Sequence, residues 1–134
     1  MESILTSIKK LLGITEEQEY FDDDLIIHIN TVFMILNQLG VGPSECFSIE
    51  DKLATWSDFL TDSTDYNAVK SYMHMKVRLL FDPPLSSAVI ESMNRMIAEL
   101  EWRLLITADS KASEGEEENS KWRIIVYNTT ASKA

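Results

Sequence analysis

Three groups of residues have side chains that could do chemistry: a run of aspartates, two histidines and a cysteine. Asp22, Asp23 and Asp24 are consecutive, so on a helix their carboxylates point in different directions and do not converge on a cation. Acidic side chains at a helix start instead satisfy its free amides and suit its dipole. The run therefore predicts the N-cap and first turn of a helix, not a metal site.

The histidines and the cysteine lack the partners that catalysis or metal binding needs. His28 and His74 stand far apart, and neither belongs to a recognisable metal-binding pattern. Cys46 is the only cysteine, which excludes a disulfide within the chain and a cysteine-based zinc site. The glycines form no phosphate-binding loop, and no pair of carboxylates is marked as an acid–base pair. We expect no catalytic residue, no cofactor and no metal.

Bulk composition describes an ordinary globular chain with a strong acidic bias. The 134 residues are 45% hydrophobic and 25% charged, which fits a single domain. The net charge of −10 argues against binding nucleic acid through phosphate neutralisation and against an anionic membrane surface. The first residues lack signal-peptide features, and no apolar run reaches the ~18 residues of a membrane span. We expect a soluble protein made in the cytoplasm.

Hydrophobic residues recur at spacings of three and four, which predicts four main helices over residues 3–12, 22–39, 66–81 and 86–107. The last two carry these apolar stripes: Val69, Met73, Val77 and Leu80; then Val89, Met93, Ile97, Leu100 and Leu104. Asp82-Pro83-Pro84 separates them, because proline cannot continue a helix. The short connection makes them antiparallel neighbours. Residues 44–64 are expected to form a loop folded on the core, with a helical turn at Trp56–Leu60.

The C-terminal region changes character after residue 108. Residues 109–121 (DSKASEGEEENSK) are typical of an acidic linker. The following WRIIVYN alternates in the manner of a β-strand, and a lone strand cannot satisfy its own backbone. It either contacts another molecule or forms a tail that folds locally or stays disordered. The sequence thus predicts a mainly α, small antiparallel bundle (1–108), an acidic linker (109–121) and a strand-like tail (122–134).

Five large apolar residues are the candidate protein-interface residues. Trp102 falls beside the stripe of the fourth helix, where it is either at the core edge or in contact with another subunit. Large aromatic side chains are favoured anchors of interfaces. The predicted tail supplies the other four: Trp122, Ile124, Val126 and Tyr127.

An ordered set of segments across residues 3–105 resembles one protein family. The segments are ILTSIKKLLGI, FDDDLIIHINTVFMILNQLGVGP, the Trp56–Leu60 turn, KVRLLFDPP and IAELEWRL. Together they resemble the head–tail connector (adaptor) proteins of long-tailed bacteriophages and prophages. None of these segments is a catalytic signature, so the specificity of the resemblance lies in their order.

The resemblance implies a structural virion protein, not an enzyme. Such a protein would form a homo-oligomeric ring beneath the portal of the DNA-filled head, at the head–tail joint of the virion. The ring would extend the DNA channel and present a docking surface to the next neck or tail completion protein. DNA would pass through without specific binding, and no membrane would be involved.

A second interpretation explains the acidic charge by a different function. A small phage-encoded regulatory protein or DNA mimic would bind a host protein. The chain lacks a basic recognition helix, which argues against a transcription factor. A DNA mimic needs acids spread over one face, whereas these cluster at a helix start and in the predicted linker.

Overall fold

Five helices make up most of the described chain. The computed structural model describes residues 2–60 and 65–131, with side chains as far as residue 112. Its helices are α1 (Ile4–Leu11), α2 (Asp22–Gln38), α3 (Trp56–Phe59), α4 (Tyr66–Phe81) and α5 (Ser87–Ala131). α4 packs against α2 and α5, and α1 packs against α2 and α4. The predicted small helical bundle is confirmed. Within the described residues, no helix is both long enough and apolar enough to cross a membrane.

The directions of the main helices follow from contacts at their ends. Phe21, just before α2, packs edge-on against Phe81 at the end of α4, with ring centroids 5.2 Å apart. α2 therefore runs antiparallel to α4. The proline turn makes α5 antiparallel to α4 as well, so α2 and α5 run in the same direction. Consistently, Gly40 at the end of α2 lies close to Ala108 on α5.

Local signals explain where the helices begin. The Ser3 side chain accepts a hydrogen bond from the Thr6 amide at the start of α1, and Ser86 Oγ accepts one from the Val89 amide at the start of α5. α2 differs from the prediction by one residue, because Phe21 occupies the N-cap position and Asp22 is already helical. Its carboxylate is drawn to Lys9, whose Nζ lies 2.8 Å from Asp22 Oδ1.

The core lies where α1, α2, α4 and the Trp56 turn meet. Its large, fully buried side chains are Ile4, Ile8, Leu25, Ile29, Val32, Phe33, Leu36, Trp56, Val69, Tyr72, Met73 and Val77. Two residues of the predicted stripes are not buried: Leu80 is 48% exposed and Val89 is 46% exposed. Both flank the proline turn, where the bundle ends and no further described element covers them. The centres of the predicted stripes, Met73 and Ile97 among them, are buried.

The loop after α2 is folded onto the core, as predicted. The Asn30 side-chain amide donates to the Ile49 carbonyl (3.0 Å), and its oxygen accepts from the Ile49 amide (2.8 Å). The Asn30 side chain thereby satisfies both the backbone N–H and the backbone carbonyl of Ile49 in the loop. Phe33, Phe47 and Phe59 form an aromatic cluster with ring centroids 4.7–5.3 Å apart. The loop thus has its own apolar anchor on α2.

α1 is held to the bundle through a buried polar contact. Trp56 is fully buried, and its Nε1 donates to Ser7 Oγ at 2.8 Å. The Ser7 hydroxyl donates in turn to the Ile4 carbonyl at 2.9 Å. The Ile4 amide donates to the Ala54 carbonyl at 3.0 Å. A helix of eight residues is marginal alone, so these contacts fix its position.

The C-terminal region contradicts the predicted secondary structure. α5 is continuous through Ala131, so residues 109–131 are helical, and the predictions of a linker conformation and of a strand at 122–128 are wrong. Glu, Lys and Ala favour helix, and no proline follows Pro84. A helix also satisfies its own backbone hydrogen bonds, whereas a single strand needs a partner. The side chains of Trp122, Ile124, Val126 and Tyr127 lie outside those described.

Replacing Ser7 with alanine should destabilise the fold, because it leaves the buried Trp56 N–H without an acceptor. We expect a loss of about 1–3 kcal/mol in the free energy of unfolding, measured by urea denaturation followed by tryptophan fluorescence. Ser110→Ala, at an exposed helical position of α5, is the control and should change stability by less than about 0.5 kcal/mol. Equal stabilities of the two variants would contradict the assigned role of Ser7.

Two glycines with positive φ offer a matched test of loop packing. A Cβ on Gly13 (φ +80°) would lie in open space, whereas a Cβ on Gly42 (φ +91°) would overlap the Phe59 ring. Gly13→Ala should cost about 1–2 kcal/mol from backbone strain alone. Gly42→Ala should cost about 1–3 kcal/mol more, because the buried Phe59 ring, which packs against Phe33 and Phe47, must shift to admit the methyl group. Urea unfolding of both variants measures the difference, and equal losses would exclude the steric contribution.

Candidate protein-interaction faces

The aspartates that open α2 do not form a metal site. Asp22 is paired with Lys9, while Asp23 and Asp24 are exposed. Lys9 is 2% exposed, and its ammonium also donates to the carbonyls of Glu16 (3.0 Å) and Gln18 (2.5 Å). Within the described residues, no three His, Cys, Asp or Glu side chains are grouped so that they could hold a metal ion. The Asp22 carboxylate and Lys9 instead fix the loop between α1 and α2.

Cys46 and His28 are not placed as a nucleophile and its base. Cys46 is exposed in the loop after α2, and its Sγ lies 3.8 Å from the Phe47 carbonyl. His28 is half-buried on α2 with its ring near Phe81, at a centroid distance of 6.4 Å. The structure therefore does not bring these two candidates together.

His74 lies on α4 beside the C-terminal end of α1. Its Nε2 atom is buried and has no hydrogen-bond partner among the described residues. Burial lowers the pKa of His74, and the nearby positive charge of Arg78 lowers it further, while the Leu11 backbone acts in the opposite direction. The geometry favours a neutral structural histidine over a catalytic one.

Tyr72 and Glu101 connect α4 to α5 and fix the rotation of α5. The Tyr72 hydroxyl donates to Glu101 Oε1 at 2.7 Å, and Lys76 Nζ lies 3.5 Å from the same oxygen. Burial and the Glu101 carboxylate raise the pKa of Tyr72, so the phenol stays a proton donor. Further along, Lys111 Nζ lies 3.1 Å from Asp65 Oδ2. These contacts turn one side of α5 toward α4 and leave the other side to solvent.

The solvent side of α5 carries an apolar pair among charged residues. We define the outer face of α5 as Arg95, Glu99, Trp102, Arg103 and Ile106, which share one helical side. Trp102 is 62% exposed and Ile106 is 42% exposed. Arg103 Nη2 lies 2.8 Å from Glu99 Oε1, so those two charges offset each other. Trp102 is thus not a core-edge residue in the single chain, and it is available for contact.

α2 has a comparable outer face that its hydrophobic pattern did not reveal. We define it as Asp23, Ile27, Thr31, Met34 and Gln38, all of them exposed. Ile27 is 63% exposed and Met34 is 49% exposed. The available signal was their seven-residue spacing on the side of α2 opposite its buried stripe, which identifies a second apolar side on the same helix.

The predicted interface residues do not form one compact patch. Trp102 and Trp122 lie on the same continuous helix, twenty residues apart. At the rise of an α-helix their backbones are separated by about 30 Å. Trp102 therefore belongs to the bundle surface, and a contact through residues 122–127 would be a separate one.

Stability should depend on pH through His74, because its pKa in the folded protein lies below the ordinary value of 6.5. Between these two pKa values the unfolded chain binds the proton more strongly, so stability is complete above about pH 6.5 and falls as the pH decreases. Urea unfolding at about pH 7.5 and about pH 5.5 should show a smaller loss for His74→Gln than for the wild type. The carboxylates contribute to both proteins, so an equal loss would contradict the role of His74.

Comparison with protein-family models shows which family the bundle represents. The sequence matches the family model described as phage connector protein over residues 4–111. The match begins at the first residue of α1 and covers about four fifths of the chain. The comparisons with curated proteins and with solved structures give no significant match. Since the family model covers most of the sequence, including α1 to α4 and α5 as far as residue 111, the chain belongs to the phage connector protein family.

Proposed function

We propose that the protein is a ring subunit at the head–tail joint of a phage, where it joins the portal to the neck or tail and extends the DNA channel. The observation that carries this proposal is the family match over residues 4–111. Phage connector proteins are structural, non-enzymatic components that associate with other head and tail proteins. The ring, the portal contact and the passage of DNA are the parts that we propose beyond this.

The distribution of exposed apolar residues supports assembly into a ring. A closed ring of identical subunits needs two different, complementary surfaces on each subunit. The outer faces of α2 and α5 are two such surfaces, and each carries two large exposed apolar side chains. Since α4 lies between them, one subunit could use both faces at once.

The charge of the chain supports a passage that does not retain DNA. The net charge is −10, and a surface of that sign repels phosphates instead of replacing their counterions. The residues before and at the start of α2 are strongly acidic, with Glu16, Glu17, Glu19 and Asp24 exposed within nine positions. An acidic lining would let DNA slide without specific binding.

The proposal also assigns a contact to the end of α5, at residues 122–127. Trp122, Ile124, Val126 and Tyr127 lie beyond the range matched by the family model. We propose that this last part of the helix contacts the portal or a neighbouring subunit. Its distance from Trp102 along α5 suits a second contact that is separate from the bundle surface.

Deleting the gene from its phage or prophage should produce separate heads and tails, because the joint between them would lack its connector. Electron microscopy of the lysate measures this directly, and heads that have lost DNA are expected. Infectious titre should fall to background and return when the wild-type gene is supplied in trans. Intact, infectious virions from the deletion strain would contradict the proposal and would direct attention to a host-protein target.

A further inference from the structure

The outer faces of α2 and α5 carry residues that complement one another. The outer face of α5 offers Arg95, Trp102 and Ile106, and the outer face of α2 offers Asp23, Ile27 and Met34. Neither Arg95 nor Asp23 makes an ion pair with any residue that the structure describes. Each face therefore has an unpaired charge of opposite sign next to exposed apolar side chains.

Building on the proposed function as a ring subunit, we propose that neighbouring copies associate through these two faces. The outer face of α5 on one copy packs in parallel against the outer face of α2 on the next. The occupant of each face is thus a second copy of this chain, and each copy uses both faces.

The directions of the helices within one subunit fit this arrangement. α2 and α5 both run antiparallel to α4, so they run parallel to each other. Neighbours in a ring are related by a rotation, which is small when the ring has many subunits. A small rotation preserves the directions, so α5 of one copy meets α2 of the next nearly parallel. A two-fold dimer through α5 alone would instead bury the same face twice and leave α2 open.

The spacing of the residues sets a register for the contact. Arg95 and Ile106 are eleven residues apart, as are Asp23 and Met34. Eleven residues make about three helical turns and about 16 Å. When Arg95 lies opposite Asp23, Ile106 lies opposite Met34 at the same level.

The same register provides a position for Trp102. Counting from the Arg95–Asp23 pair, Trp102 lies at the level of residue 30, between Ile27 and Met34. A large side chain that enters the space between two apolar residues of the facing helix is the usual packing of parallel helices. Glu99 lies opposite Ile27, but its charge is already offset by Arg103 on the same helix.

The test is to introduce cysteines on the two faces and to cross-link them in assembled phage particles. Cys46 is the only cysteine and is exposed, so it is first replaced by serine. Asp23→Cys and Arg95→Cys are then introduced together, and the gene-deleted phage is complemented with this variant. A short bis-maleimide bridges thiols on helices packed about 10 Å apart. We expect a ladder of dimers, trimers and larger species on a denaturing gel, because each chain is linked on both sides.

Three controls distinguish this ladder from random linking. Asp23→Cys alone and Arg95→Cys alone leave one thiol per chain and should stop at dimers. Lys52→Cys combined with Arg95→Cys uses an exposed loop position that lies on neither face and should give no ladder. Absence of a ladder from the facing pair, or an equal ladder from the control pair, would overturn the proposal.

Charge reversal tests the register in an otherwise native chain. Asp23→Arg and Arg95→Asp should each weaken association between subunits about tenfold or more, since each places like charges opposite one another. The double variant restores opposite charges and should recover the infectious titre of the complemented phage. Failure of the double variant to recover, while both single variants are folded by circular dichroism, would overturn the assigned register.

The outcomes separate this inference from the proposed function. Separate heads and tails in the deletion strain without a ladder from the facing cysteines would leave the connector function in place and reject these faces. A ladder together with intact virions in the deletion strain would support the faces as a self-association surface and reject the head–tail function.

Discussion

The burial of α4 is the constraint on which the rest of the structure depends. Its buried residues are Val69, Tyr72, Met73, Met75 and Val77, which span roughly 200° of the helix circumference. A helix buried over that range needs neighbours on two sides, and α2 and α5 supply them while α1 closes the end. The buried residues of α2 span only about 100° by the same geometry. α4 thus buries one side of α2 and one side of α5. The opposite side of each of these two helices stays exposed.

α5 is joined to α4 by polar contacts as well as by apolar packing. Ile97 and Leu104 are its two buried large apolar residues within the described side chains, a narrow apolar contact for a helix of 45 residues. The Tyr72–Glu101 hydrogen bond and the Lys111–Asp65 pair lie on either side of Leu104 along α5, and they fix the rotation of this helix. Because Glu101 is partly exposed, this contact contributes direction more than stability. The outward position of Trp102 follows from that rotation.

Most of the bundle could be predicted from the sequence because strong local signals agree with the tertiary packing. Spacings of three and four placed the four main helices, and two prolines placed the turn before α5. The strand at residues 122–128 was predicted wrongly, because apolar residues there alternate and a short apolar run is ambiguous between strand and helix. The continuation of α5 depends on its preceding turns, which periodicity in a short window does not capture.

The candidate site was predicted less completely, for a physical reason. The core-edge and interface interpretations of Trp102 could not be separated, because its position beside the stripe fits both and the rotation of α5 is set by Tyr72, on another helix. Ile27 and Met34 were missed because α2 has apolar residues on two sides. A periodic pattern indicates the more apolar side and conceals the second one. Exposure in the folded chain is what separates the two sides.

The acidic charge opposes association between subunits, whereas the outer faces of α2 and α5 favour it. Free copies with a net charge of −10 repel one another, and each outer face offers two large apolar side chains and one unpaired charge to oppose that repulsion. On the proposed arrangement, pairwise contact between free subunits is weak. Placing copies side by side on a circular partner raises their effective concentration, so that contacts too weak for solution assembly become stable. The ring would then form on the portal, and free subunits would stay separate until they bind there.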